Sequence, residues 1–137
     1  MYPTMLPDAV EHERETMMES AIDMLKARGY RHFSAHELPG FEEPGRVTIR
    51  VLNVPMTPDI FADGVAGLQP LLAVVETATD LGEELPGRRW QAFAEWAEAH
   101  GARLKVYVHP DDLARARTVA DHWHLDPGLV EALPTRH

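Results

Sequence analysis

Thr57-Pro58-Asp59-Ile60-Phe61-Ala62 and Leu71-Leu72-Ala73-Val74-Val75-Glu76-Thr77-Ala78-Thr79-Asp80 contain two short apolar runs, the first directly preceded by the carboxylate of Asp59 and the second directly followed by that of Glu76. Leu71 to Val75 has the continuous apolar character of a strand buried on both faces, so Glu76 is expected at the rim of a sheet. Asp59 is expected at the same rim. Pro58 lacks an N–H and fixes its own φ, so a ladder can begin only after it and the aspartate stands at the strand entrance. Two acids from neighbouring strands then converge on one point. Converging carboxylate oxygens suit a hard divalent cation such as Mg²⁺, which keeps several waters and needs few protein ligands.

The chain has 137 residues, 45% of them hydrophobic, enough for one domain spanning 1–137 with a sizeable core. It has no cysteine, which excludes disulfides and thiolate metal sites. No apolar run is long enough for a membrane span, and Met1 to Pro7 lacks the regions of a signal peptide, so a cytoplasmic protein with no membrane partner is expected. The formal charge of −9 argues against a surface that coats nucleic acid generally, while leaving room for a local basic groove. Lys26 and Lys105 are the only lysines.

Pro7 to Gly29 reads as the first helix, with Asp8 as N-cap, Glu11 completing a capping box, and Gly29 as the stop. Met18, Ala21, Ile22 and Leu25 form its apolar stripe. Glu15 and Glu19 lie one turn apart beside that stripe, and Glu19 first, with Glu15 after it, is the acid expected to reach the core edge. Tyr30 to Ala35 reads as an edge strand and Phe41-Glu42-Glu43 as a loop between two Pro-Gly breaks. Arg46 to Val54 alternates as a half-exposed strand and, with the Asp59 and Leu71 strands, predicts a three-strand antiparallel meander. The spacing of Trp90, Phe93, Ala94 and Ala97 predicts a helix covering the sheet. Leu104 to Val108 predicts a strand reached by a parallel crossover, and Leu113 to Trp123 a C-terminal helix. Asp126-Pro127 begins the tail. His122-Trp123-His124 reads as a solvated helix end, with a zinc site as its rival.

This order, with Pro58-Asp59 entering one strand, Glu76-Thr77-Ala78 leaving the next and a following helix carrying Gln91, resembles the PD-(D/E)xK nuclease superfamily over residues Glu11 to Leu125. The resemblance implies a restriction-endonuclease-like α/β fold and Mg²⁺- or Mn²⁺-dependent hydrolysis of a phosphodiester, with DNA as the expected partner and a homodimer as an open possibility. It assigns Asp59 and Glu76 as metal ligands and Glu19 as an outer ligand or base, with Glu15 in reserve. Ala78 stands where the family has its lysine, and alanine can neither donate to nor orient a water. Lys105, Arg88, Arg89 and Lys26 are the candidate cations to stand in for it. Gln91 lies near a glutamine-led helical motif of related exonucleases, but Glu95 replaces the aromatic residue expected four positions on. A non-catalytic member of the fold, binding nucleic acid or protein, is the alternative function.

Overall fold

The computed structural model describes residues 7–45, 47–49, 54–64, 67–81 and 86–134. In chain order the elements are α1 (Pro7–Ala27), β1 (Arg31–Ala35), β2 (Val47–Ile49), β3 (Val54–Met56), β4 (Ile60–Asp63), β5 (Leu71–Val75), α2 (Ala78–Leu81), α3 (Pro86–Ala99), β6 (Arg103–Val108), α4 (Leu113–His122) and β7 (Val130–Ala132). Short 3₁₀ turns lead into α4 and β7. The chain is an α/β protein built on a mixed sheet of order β1-β4-β5-β6-β7. The β1–β4 and β4–β5 pairs are antiparallel, whereas β5–β6 and β6–β7 are parallel.

The central strand explains the layering. All five residues of β5 are buried, and because side chains alternate across a sheet they divide between two cores. Leu71, Ala73 and Val75 meet Met18, Ala21, Ile22 and Leu25 of α1, while Leu72 and Val74 meet Trp90 and Phe93 of α3 and Ala116 and Ala120 of α4. Fully burying each large apolar side chain contributes about 1.5–3 kcal/mol, so a polar replacement anywhere in β5 would disrupt one core or the other. The helix on α1's face ends in a turn where Tyr30 N–H donates to the Leu25 carbonyl at 3.1 Å and Gly29 adopts φ +101°. Glycine accepts that left-handed conformation without a Cβ clash, and the turn delivers the chain straight into β1.

That delivery changes the expected meander. The strand beside β4 is β1, with Ala35 opposite Ile60, and not the 46–54 segment. Its described residues lie in β2 and β3, which pair antiparallel with each other, Ile49 opposite Val54 and Val47 opposite Met56, as a separate two-stranded sheet beside α3. Residues 50–53, including the alternation assigned to Val51 and Leu52, lie outside the described residues, as do Met1 to Leu6. With β1 on the edge of β4, the place expected for the 46–54 segment is taken, and β2 and β3 satisfy their backbone groups on each other. The first helix already includes Pro7, so Asp8 lies inside it and is not its cap.

The tail also differs from expectation, because the C-terminal helix is not the last element. Asp126 accepts the Gly128 N–H at 2.9 Å, turning the chain so that β7 adds in parallel to β6 and buries Val130. Three strand residues are too few for any periodic signal. At the end of α4, His124 occupies the left-handed position at φ 59°, with Leu125 N–H reaching the Ala120 carbonyl at 2.8 Å. His124→Gly should therefore stabilise the protein by about 0.5–1 kcal/mol in urea unfolding, since histidine bears a Cβ penalty there.

α3 starts with Pro86, a residue suited to a first helical turn, and then Gly87. A Cβ on Gly87 would lie 1.9 Å from Cδ1 of the Trp123 indole. The absence of a side chain thus lets the start of α3 press against the end of α4. Gly87→Ala should cost about 1–3 kcal/mol in urea unfolding despite alanine's better helix propensity, and Gly87→Ala combined with Trp123→Leu should recover part of that loss.

Candidate functional site

Asp59 immediately precedes β4. Its N–H donates to the Ala73 carbonyl at 3.1 Å, and its own carbonyl accepts from His36 N–H at 2.8 Å. Past the Ile60–Ala73 pair the ladder meets Pro58, which has no N–H, and the Asp59 side chain turns inward instead. Its Oδ2 accepts the Val75 N–H at 2.8 Å, joining the start of β4 to the end of β5. Glu76 follows directly. Its N–H continues the parallel ladder by donating to the Tyr107 carbonyl at 3.0 Å.

Beyond Glu76 the chain leaves the sheet through a reciprocal cap. Asp80 N–H donates to Thr77 Oγ1 at 3.2 Å, and Thr77 N–H donates to Asp80 Oδ2 at 3.0 Å, which starts α2 at Ala78. Ala78 is exposed. Asp59 and Glu76, by contrast, are 0% and 2% exposed. Acids buried this deeply need a cationic partner or a retained proton, because an unpaired buried charge is strongly unfavourable.

Two arginines supply the cationic partners, from helices on opposite faces of the sheet. Arg89 of α3 spans both acids, with Nη1 at 3.1 Å from Glu76 Oε1 and Nη2 at 3.4 Å from Asp59 Oδ1. Arg14 of α1 donates through Nη2 to that same Asp59 oxygen. The Arg89 guanidinium also lies over the Phe93 ring, one turn further along α3, at 5.6 Å. Burial lifts the Glu76 carboxyl from 4.5 to about 8; Arg89 opposes the rise, while Asp80 and Asp59 add to it.

The structure therefore brings Asp59 and Glu76 together around one shared cationic group. Glu19 is exposed and Glu15 is half-buried, while the groups that contact the pair are Arg14, Arg89 and the Val75 N–H. Among the described residues no three His, Cys, Asp or Glu side chains gather as a metal-binding set. Of the four cations considered beside Ala78, Arg89 reaches the acids. Lys105 instead contacts Glu131 at 3.3 Å and the Gly128 carbonyl at 3.2 Å, Lys26 lies 5.9 Å from the Phe33 ring centre, and Arg88 is exposed.

Gln91 donates to the Trp123 carbonyl at 3.4 Å, a contact between α3 and the end of α4. Trp90 and Phe93 are core, and Trp96 stacks on His100 at 4.1 Å. His122 ends α4 exposed to solvent, and His124 is the left-handed residue that closes it. Arg14 was hidden in the charged run His12-Glu13-Arg14-Glu15. Its signal was nevertheless present: it precedes Met18 by four residues, Ala21 by seven and Leu25 by eleven, which continues the buried stripe by one turn.

No protein family matches this sequence, and no curated protein or solved structure matches it either. No described helix is long and apolar enough to cross a membrane.

The Glu76 carboxyl gives a pH prediction with a definite sign. Between pH 4.5 and about 8 the folded protein holds a proton on Glu76 that the unfolded chain has released. That contribution to stability is complete below 4.5 and is lost as pH rises through about 8. Stability should fall across this window by up to about 1 kcal/mol per pH unit, and Glu76→Gln should flatten the dependence. Urea unfolding at several pH values checks this; equal slopes in the two proteins would count against a buried, proton-holding Glu76.

Proposed function

We propose that this is a restriction-endonuclease-like domain whose Asp59–Glu76 pair forms the divalent-cation site of a phosphodiester hydrolase acting on DNA. The observation that carries this reading is the single Arg89 guanidinium shared by carboxylates from the entrance of β4 and the exit of β5. One cation between two hard oxygen donors is the arrangement a Mg²⁺ or Mn²⁺ ion also favours, with water completing its shell. The order α1, antiparallel β1-β4-β5, α3 and parallel β6 supports the fold assignment. A buried acid with a raised pKa at the end of a strand, as Glu76 is, also marks a candidate working site.

Asp59 and Glu76 would hold the ion. A metal bound there would polarise a phosphoryl oxygen and lower the pKa of a coordinated water. Asp59 is kept in place by the Val75 N–H, which fixes one oxygen and leaves the other for a cation. A guanidinium is a poor proton acceptor, so the role of Arg89 would be to stabilise negative charge on the phosphoryl group. Ala78 contributes no group to orient a water. Slow cleavage is the expected consequence.

A second reading is favoured by one further observation. Arg14 and Arg89 together give both buried acids a cationic partner, so the pair can persist as a structural cluster in a non-catalytic module that binds nucleic acid or protein. Calorimetric titration with Mn²⁺ separates the readings. The hydrolase reading expects saturable binding lost in Asp59→Ala, weak Mn²⁺-dependent nicking of plasmid DNA, and roughly tenfold or greater acceleration in Ala78→Lys. DNA retention with neither Mn²⁺ binding nor nicking would establish the second reading instead.

A further inference from the structure

The acids and arginines are layered. Asp59 and Glu76 form a floor with side chains 0% and 3% exposed, while Arg14 at 18% and Arg89 at 34% form the side facing solvent. Anything approaching from solution meets guanidinium groups first. Both arginines donate to one oxygen, Asp59 Oδ1, so two like charges are drawn to a single point and held there by the acids beneath.

We propose that Arg14 and Arg89 are exchangeable counter-ions which, when a divalent cation takes their place on the acids, become the clamp for a phosphodiester anion. This rests on the cation-site reading above and extends it to how substrate binding depends on the metal. Without a metal, both guanidinium groups are held by the two acids, Arg14 on Asp59 and Arg89 across Asp59 and Glu76. A dication that takes those same oxygens of Asp59 and Glu76 releases both guanidinium groups from the acids. Two forked, permanently charged donors on the solvent side then require an anion, and phosphate oxygens match their planar geometry. Metal and phosphodiester must consequently bind with positive coupling, each strengthening the other by the same factor.

The coupling is measured by following free Mn²⁺ through its electron paramagnetic resonance during titration, with and without dimethyl phosphate, a phosphodiester lacking bases. Dimethyl phosphate should tighten Mn²⁺ binding by the intact protein about fivefold or more. Arg89→Gln removes the competing cation, so it should bind Mn²⁺ roughly tenfold more tightly than the parent and respond less than about twofold to dimethyl phosphate. Arg89→Lys retains the charge without the fork that spans both acids, and should fall between the two; it also carries the test if the glutamine variant fails to fold. Mn²⁺ binding that disappears in Asp59→Ala but is unchanged in strength and coupling by both Arg89 substitutions would overturn the exchange while leaving the cation site standing. Absence of any Mn²⁺ site in the intact protein would overturn both.

Discussion

The Asp59 carboxylate is the constraint on which the rest of the structure turns. It is fully buried, and its partners come from three other elements: the Val75 N–H of β5, Arg14 of α1 and Arg89 of α3. Removing one partner from a buried charge typically costs about 3–5 kcal/mol, so these contacts bind both helical layers to the same sheet end. Its backbone adds a further tie, because His36 N–H bonds its carbonyl and so anchors the loop after β1. That loop is held in turn by Glu43, which accepts from the Glu37 N–H and pairs with His36, each contact 2.6 Å long.

The parallel half of the sheet provides the second acid. Because β5 runs parallel to β6, the Glu76 N–H continues the ladder to the Tyr107 carbonyl after β5 itself has ended. The Thr77–Asp80 cap then turns the chain away at once, which separates exposed Ala78 from buried Glu76. The crossover returns through α3, whose start is fixed against Trp123 by the missing side chain of Gly87. Arg89 lies two residues further along. Its reach to both acids is therefore a consequence of helix packing on the far side of the sheet.

Two strands away from β5, in the register row that runs from Val75 through Tyr107, polar groups hold architecture together. Glu131 of β7 receives Arg28, with Nη1 to Oε1 at 3.1 Å, and Lys105 of β6, while both cations hold its carboxyl below its usual range. This ties the last short strand to β6 and to the end of α1. The contrast with Glu76 is one of burial: Glu131 is partly exposed and keeps its hydration, whereas Glu76 has lost it.

Local chemistry determined much of this in the sequence alone. The helical stripe Met18, Ile22 and Leu25, the glycine stop at Gly29, the doubly buried run Leu71 to Val75 and the proline before Asp59 each act over a few residues, so they could be read without knowing any partner. The convergence of Asp59 and Glu76 followed from strand direction and the alternation of side chains. Tertiary structure decided what local pattern could not. Whether the 46–54 segment joined the sheet depended on whether β1 had already taken the edge of β4, and β7 depended on an open edge of β6 for a run of three residues. Arg14 carried a periodic signal, but its assignment to Asp59 across 45 positions of chain, and that of Arg89 across 30, depended on which charges were left buried once the layers closed. Helical and strand periods are properties of the chain. The choice of counter-ion is a property of the space the folded chain encloses, where a desolvated carboxylate takes whichever cation its neighbours bring within reach.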